Sequence, residues 1–496
     1  MSAPVVREST TGREPLRRLP AMGLRIVDTQ PDQDRRTKVI CTIGPSSAQV
    51  VGALVEAGMD AARLNFAHGT AELRAAWADA VRAAADASGR SIALIGDLAG
   101  PEVRLGRLDG GVATLEAGQS FTLRPRAPSE DGSSSGAWVN DPELIHRVQI
   151  GDRLFLGEST TELRVVTIDD VLETEVVVGG TIRSRAGVHV RGRPALAHGL
   201  SSTDRRDVHE ALGLGVDYIA LSSVRGAADI VRLRDEIGAD GPPIIAKIEN
   251  RQAVDDFDAI LQVADGVLIA RGDLGSELPF EHVPRIQKSL VRRAGVSGVP
   301  SIVATHMLES MLGSPRPTRA ETSDIANTVL DGVDAIQLNY ETAIGEYPVE
   351  ATEVAARICR LYEGGESSVD GHAPSFDSDA KALAYAAISL AAADPDVAAI
   401  ACYTRTGTTA RMLASLRPRV PVLAFSPDAG VAARLALIHG TVPRICLPLE
   451  DPRRRLELLG WLVREAHLVP DGAAVVLVAS TAEPGIGPNL LEVQRA

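Results

Sequence analysis

At 496 residues the chain exceeds what one compact core holds, and about two to four domains are expected. Its 45% hydrophobic and 23% charged residues are those of a globular protein, and aromatics at 3% leave the cores to Ala, Val, Leu and Ile. A net charge of −14 argues against a general nucleic-acid binder, and no apolar run approaches the roughly 20 residues that span a bilayer.

Residues 1–36 carry seven arginines but no apolar signal-peptide core, and Glu8, Glu14, Asp28, Asp32 and Asp34 count against a transit peptide. This stretch reads as a disordered tail. From Thr37 onward short apolar runs alternate with helical patterns: VICTIG, DAARLNF, SIALIGDL, YIALSS, PIIAKIE, GVLIAR, PSIVATHM and AIQLNY. Eight such strands with helices between them predict an α/β fold, a (β/α)8 TIM barrel over 37–100 and 200–360, with its active site at the strands' C-terminal ends. The alternation breaks at 101–199, where DRLFLG, TELRVVTI and TEVVVGG read as strands of a small inserted β-barrel domain. A Gly/Ser/Asp-rich linker assigned to 361–376 leads into an α/β unit at 377–496, with strands VAAIACYT, VPVLAFS, RICLP and AAVVLVAS. Cys41, Cys359, Cys402 and Cys446 are scattered without metal-ligand spacing, the pattern of a cytosolic protein with free thiols.

The stretch from Pro243 to Gly275 carries the clearest chemistry. PIIAKIEN and GVLIARGDLG each join a buried strand to charged residues. Alternation along a strand points Lys247 and Glu249 the same way, and Asp273 sits in the turn just past the second strand. One cation and two carboxylates at adjacent strand ends suit Mg²⁺ and a phosphoryl group, though a KxE pair is equally a strand-end salt bridge. In the Gly272-Asp273 turn, free backbone N–H groups offer a site for carboxylate or phosphate. ARLNFAHG sets Arg63 and Asn65 on one side of a strand with His68 in the following loop, and GDLAGPEVR supplies Asp97, Glu102 and Arg104. Arg63 could merely pair with Asp97 across the mouth. Thr305 ends PSIVAT, where a packed β-branched residue is the ordinary reading. YTRTGTTA joins a strand to a helix and gathers Thr404, Thr406, Gly407, Thr408 and Thr409, either a phosphate loop or a plain turn.

Taken in series, IIAKIEN, LIARGDLG, VATHMLESM, PTRAETSDIANTVLDG and ETAIGEYPVEA closely resemble the pyruvate kinase family. KVICTIGPSS, ARLNFAHG and GDLAGPEVR fit it in the same order, from about Lys38 to Val493. The resemblance implies phosphoryl transfer from phosphoenolpyruvate to ADP, giving pyruvate and ATP in glycolysis. It implies that Arg63, Lys247 and Thr305 are catalytic, and that Lys247, Gly272, Asp273 and Thr305 bind the substrate. Arg63, Asn65, His68 and Arg104 would face the nucleotide. Glu249 and Asp273 would hold Mg²⁺ or Mn²⁺, Asn65 and Asp97 a K⁺ ion, and the threonine loop a sugar-phosphate effector. The insert becomes a lid over the nucleotide, and the assembly a cytoplasmic homotetramer without nucleic-acid or membrane partners.

The chain also departs from the family pattern. A usual serine is Ala67, which removes a hydroxyl ligand for K⁺. Basic or polar residues give way to Ala99 and Ala186, a phenylalanine to Ser223, a glutamine to His306, and the serine-glycine pair of SGETA to Asn339 and Tyr340. A diverged paralogue acting on another enol phosphate or carboxylate, or a non-catalytic homologue, is the alternative reading.

Overall fold

The computed structural model describes residues 35–100, 103–125, 131–141, 144–157, 161–190, 200, 202–363, 378–449, 451–480 and 488–496. Residues 1–34 of the expected disordered tail, most of the linker, and Glu102 lie outside the described residues. Arg35 and Arg36, assigned to that tail, are instead ordered against the barrel: Arg35 Nη1 pairs with Asp60 Oδ2 at 2.7 Å, and the Arg36 N–H donates to Glu363 Oε2 at 2.6 Å.

Each of the eight predicted runs contains one strand. They are β1 (Lys38–Thr42), β2 (Ala61–Asn65), β3 (Ala93–Asp97), β4 (Tyr218–Leu221), β5 (Ile244–Ile248), β6 (Gly266–Ala270), β7 (Ser301–Ala304) and β8 (Ala335–Leu338). All pair in parallel, and β8 returns to β1, so the barrel closes. The strands read as continuous apolar runs because both faces are covered, by helices outside and by side chains within. Local signals set the helix ends. Thr318 and Glu321 form a reciprocal capping box ahead of the helix Arg319–Leu330, and Gly58, at φ 115°, ends the helix Val51–Ala57.

The insert is mainly β, with one short helix at Leu144–Arg147, and has its own core, which includes Phe121, Leu154, Leu163 and Val176. Its described strands form a six-stranded sheet, with Thr161–Ile168 between Arg153–Leu156 and Leu172–Val178, and a separate pair of Val112–Leu115 with Gly180–Arg183. The C-terminal unit has four parallel strands, β9 (Val397–Tyr403), β10 (Val422–Ser426), β11 (Thr441–Ile445) and β12 (Ala474–Ala479), plus β13 (Leu490–Arg495), antiparallel to β12. Two details differ from the sequence reading. RICLP suggests a strand at 444–448, whereas β11 begins at Thr441; it is an edge strand, where Pro443 is tolerated. LLEVQR, with no continuous apolar run and a largely exposed face, is β13, held by its backbone ladder to β12.

This unit seats against the floor of the barrel, opposite the active-site end. Leu437 joins the barrel's interior cluster, Tyr218 Oη donates to Arg434 O at 2.9 Å, and Lys38 Nζ donates to Thr441 O at 2.8 Å. All four cysteines are buried and free. Among the described residues, no helix is long and apolar enough to cross a membrane.

Candidate active site

Strand alternation builds the site. Ile40, Ala61, Ile95, Ala220, Ile245 and Ala335 fill the barrel interior, while their chain neighbours pack outward beneath the helices. Two residues further on, the same inward direction brings Thr42, Arg63, Asp97, Ser222, Lys247 and Gln337 to the C-terminal mouth, all buried. The barrel is thus apolar below and charged at its rim.

Buried charges persist only when paired, and these are. Asp97 Oδ2 accepts from Arg63 Nε at 2.6 Å and lies 2.6 Å from Arg63 Nη2, while Arg63 Nη1 donates to Thr42 Oγ1 at 3.1 Å. Lys247 Nζ donates to Ser222 Oγ at 2.6 Å and stands 2.8 Å from Glu249 Oε1 and 3.3 Å from Asp97 Oδ1. Burial alone would depress the Lys247 ammonium, but Asp97 and Glu249 outweigh it and hold its pKa above the ordinary lysine value. Burial likewise opposes the Asp97 charge, yet Lys247 and Arg63 win and hold that carboxyl below the usual range. Lys247 and Asp97 are therefore both ionised at neutral pH. Glu249 Oε2 accepts the Ser223 N–H at 2.6 Å, so its two buried oxygens divide between that amide and the Lys247 ammonium.

Next to this cluster lies a strained turn. Thr305 and His306 follow β7 with φ of 73° and 52°, a region that costs a non-glycine residue about 1–3 kcal/mol. Thr305 Oγ1 accepts the Gly272 N–H at 2.7 Å and donates to Ala304 O at 2.6 Å. The Gly272 amide, expected to be free, is therefore taken by Thr305. Asp273 lies in the first turn of the helix Arg271–Glu277.

Of the sequence-predicted residues, Arg63, Asp97, Lys247 and Glu249 come together, as do Gly272 and Thr305. Arg63 does pair with Asp97, the alternative its sequence left open. Asn65 lies beside Asp97 in register, but its Oδ1 accepts the Ala67 N–H at 3.0 Å. His68 is exposed in the loop beyond β2. Arg104 lies in the insert, its Nη1 donating to Arg185 O at 2.9 Å. The threonine loop lies in the C-terminal unit. Thr404 Oγ1 accepts the Gly407 N–H at 2.9 Å to close the turn, Thr409 is buried, and Thr406 and Thr408 are exposed with their hydroxyls 3.0 Å apart. Gly407 has φ 85°, and a Cβ added there would stand 3.5 Å from Leu435 Cδ2.

The departures also find places. Ser223, at φ 56°, gives its N–H to Glu249, and Ala186 packs against the insert core. Asn339 Oδ1 accepts from Gln337 Nε2 at 2.9 Å, while Tyr340 opens a short helix and is 39% exposed, so its added bulk is accommodated toward solvent. Sequence reasoning missed Ser222, Thr42, Glu341 and Arg271. Ser222 and Thr42 follow the same two-residue period as Lys247 and were findable; Glu341, which accepts the Leu308 and Asn339 N–H groups at 3.0 and 2.7 Å, carried no such signal.

Fixed cations interleaved with carboxylates at strand ends suit the movement of a group that carries its own charge. Fold and site together define a phosphotransferase built on a (β/α)8 barrel. The family model described as pyruvate kinase, barrel domain, matches residues 34–352, and that described as pyruvate kinase, alpha/beta domain, matches 381–494. Pyruvate kinase 2 of Synechocystis sp. is 38% identical over 93% of this chain and 79% of its own length. The pyruvate kinase of Mycobacterium tuberculosis H37Rv is 37% identical over 93% and 98%, and that of Corynebacterium glutamicum 39% over 92% and 96%. The chain belongs to the pyruvate kinase family and is an enzyme of it.

Proposed function

We propose that this chain moves the phosphoryl group of phosphoenolpyruvate to ADP through the buried array of Arg63, Asp97, Lys247 and Glu249, the observation that carries the reading. The bond between phosphorus and the enol oxygen breaks, a bond from phosphorus to a terminal ADP oxygen forms, and the enolate left behind takes one proton at carbon to become pyruvate. Arg63 would exchange its partner Asp97 for the transferring phosphate. Lys247, held charged by Asp97 and Glu249, would follow that phosphate through the transition state. Thr305, with a water, would deliver the proton. The Gly272-Asp273 turn would hold the substrate carboxylate, with the Gly272 N–H itself kept by Thr305 Oγ1.

The carboxylates fit a divalent ion. Glu249 Oε1 is a buried carboxylate oxygen held by the Lys247 ammonium alone, without a well-formed hydrogen bond, and Mg²⁺ takes one or two protein carboxylates with the rest of its shell from phosphate and water. Glu249 and Asp273 would hold Mg²⁺ or Mn²⁺, which when bound would neutralise charge on the transferring phosphate. The fit to K⁺ is poorer, because Asn65 Oδ1 already serves Ala67 and Asp97 already faces two cationic side chains.

His68 and Arg104 would meet the nucleotide when the insert closes as a lid, excluding water. The domain division 37–100 with 200–360, 101–199 and 377–496, the sugar-phosphate loop at Thr404–Thr409, a homotetramer and a cytoplasmic location complete the proposal. A coupled assay with purified protein, phosphoenolpyruvate, ADP, Mg²⁺ and K⁺ should give pyruvate and ATP in equal amounts. Saturation without turnover would overturn it. The exchange of a serine for Asn339 at the mouth favours one second reading, a different enol phosphate as donor, which the same assay distinguishes when related enol phosphates replace phosphoenolpyruvate.

A further inference from the structure

Arg271 begins the helix that carries Gly272 and Asp273, yet its own side chain turns back to the neighbouring strand end. Nε and Nη2 both donate to Thr305 O, at 3.1 and 2.6 Å, and Nη2 also donates to His306 O at 3.0 Å. Nη1 donates to Asp324 Oδ2 at 2.6 Å, on the helix Arg319–Leu330. The two carbonyls it gathers belong to Thr305 and His306, the consecutive residues with left-handed φ. From the same turn of chain, the Gly272 N–H holds the Thr305 hydroxyl oxygen. Backbone and side chain of Thr305 are thus fixed from one point, residues 271–272, and Asp324 fixes that point in turn.

We infer that Arg271 is a positioning residue for Thr305: its guanidinium holds the strained turn and so sets where the Thr305 hydroxyl aims. The inference rests on the reading that Thr305 delivers the proton. A rigid, planar fork of five donors meets two carbonyls and a carboxylate together, and a lysine ammonium cannot reproduce that geometry. Strained residues persist where their surroundings over-determine them, and this clasp is such a surrounding.

The test separates the proton step from the phosphoryl step. Exchange of the pyruvate methyl protons with D₂O, followed by NMR in the presence of ATP, Mg²⁺ and K⁺, reports the first; pre-steady-state ATP formation reports the second. Arg271→Met should slow the exchange and kcat by about tenfold or more while KM for phosphoenolpyruvate moves by less than about threefold. Arg271→Lys should recover only part of the loss. Asp324→Ala, remote from the substrate and a safeguard should Arg271→Met not fold, should shift exchange in the same direction to a smaller extent. In a Thr305→Ala background Arg271→Met should cost little more, because both act on one group. Fully additive losses, or a rise in KM with unchanged exchange, would overturn the positioning role. Unimpaired exchange in Thr305→Ala alone would remove the reading of Thr305, and this inference with it.

Discussion

Lys247 is buried to 9% exposure, yet it keeps its charge, because two carboxylates facing it at 2.8 and 3.3 Å outweigh the cost of burial. Replacing it tests its role directly. Lys247→Met should leave KM for phosphoenolpyruvate nearly unchanged and lower kcat by about 10²–10³-fold or more, since its contribution is to charge that grows in the transition state. A loss confined to KM would make it a ground-state contact instead. Ala67 offers no side-chain hydroxyl to an ion, and its N–H engages the Asn65 Oδ1 that would otherwise be a candidate ligand. Fewer neutral oxygens should weaken the monovalent site while Asp97 still attracts a cation. K⁺ activation is therefore expected to persist at a raised half-maximal concentration, and Ala67→Ser to lower it. Titration of the rate with K⁺ at constant ionic strength checks this; full activity without K⁺ in both proteins would refute it.

Between elements, the site is held by groups that never meet substrate. Glu277, at the far end of the helix that carries Asp273, accepts the Arg251 N–H at 3.1 Å and so ties that helix to the turn just after Glu249. Burial pushes its carboxyl from 4.5 up to about 7, against the lowering effect of that N–H and with repulsion from Glu249 adding. The folded chain therefore holds a proton between about 4.5 and 7 that the unfolded chain has released. The stability this provides is complete below 4.5 and is lost as pH rises through 7. Glu277→Gln should flatten the fall in urea midpoint across that window. An unchanged slope would place the pH dependence elsewhere. Glu341 does the corresponding work on the other side of the mouth, holding the turn at Leu308 to the end of β8 through two backbone N–H groups.

Across the whole molecule, the C-terminal unit is packed under the barrel floor while the chemistry lies at the opposite rim. Leu437 plugs the interior, and Lys38 and Tyr218 reach from the first turns of β1 and β4 to carbonyls of the unit below. An effector at Thr404–Thr409 would act through this seat rather than by touching substrate. Thr406 is exposed on that loop, so Thr406→Glu should repel a sugar phosphate and abolish its activation while basal kcat stays within about twofold. A thermal-shift series with fructose and glucose phosphates provides the binding readout, since a ligand of the folded state raises the melting temperature. Stabilisation that survives the substitution would move the site elsewhere.

The order of residues alone determined the eight barrel strands, the inserted β unit and the stretch that carries Lys247 and Glu249. Those features are local: a two-residue period places a side chain in or out, and an apolar run bounded by turns marks a strand wherever it later packs. Chain order was silent where stability comes from backbone ladders rather than side-chain burial, which is why β11 lies earlier than RICLP suggests and β13 escaped notice. It was equally silent on pairings. Whether Arg63 meets Asp97 or a ligand, and whether Arg271 faces solvent or clasps Thr305, are decided by which strand ends closure of the barrel makes neighbours. Only the tertiary structure sets that, because a guanidinium binds whichever acceptors the fold brings within about 3 Å.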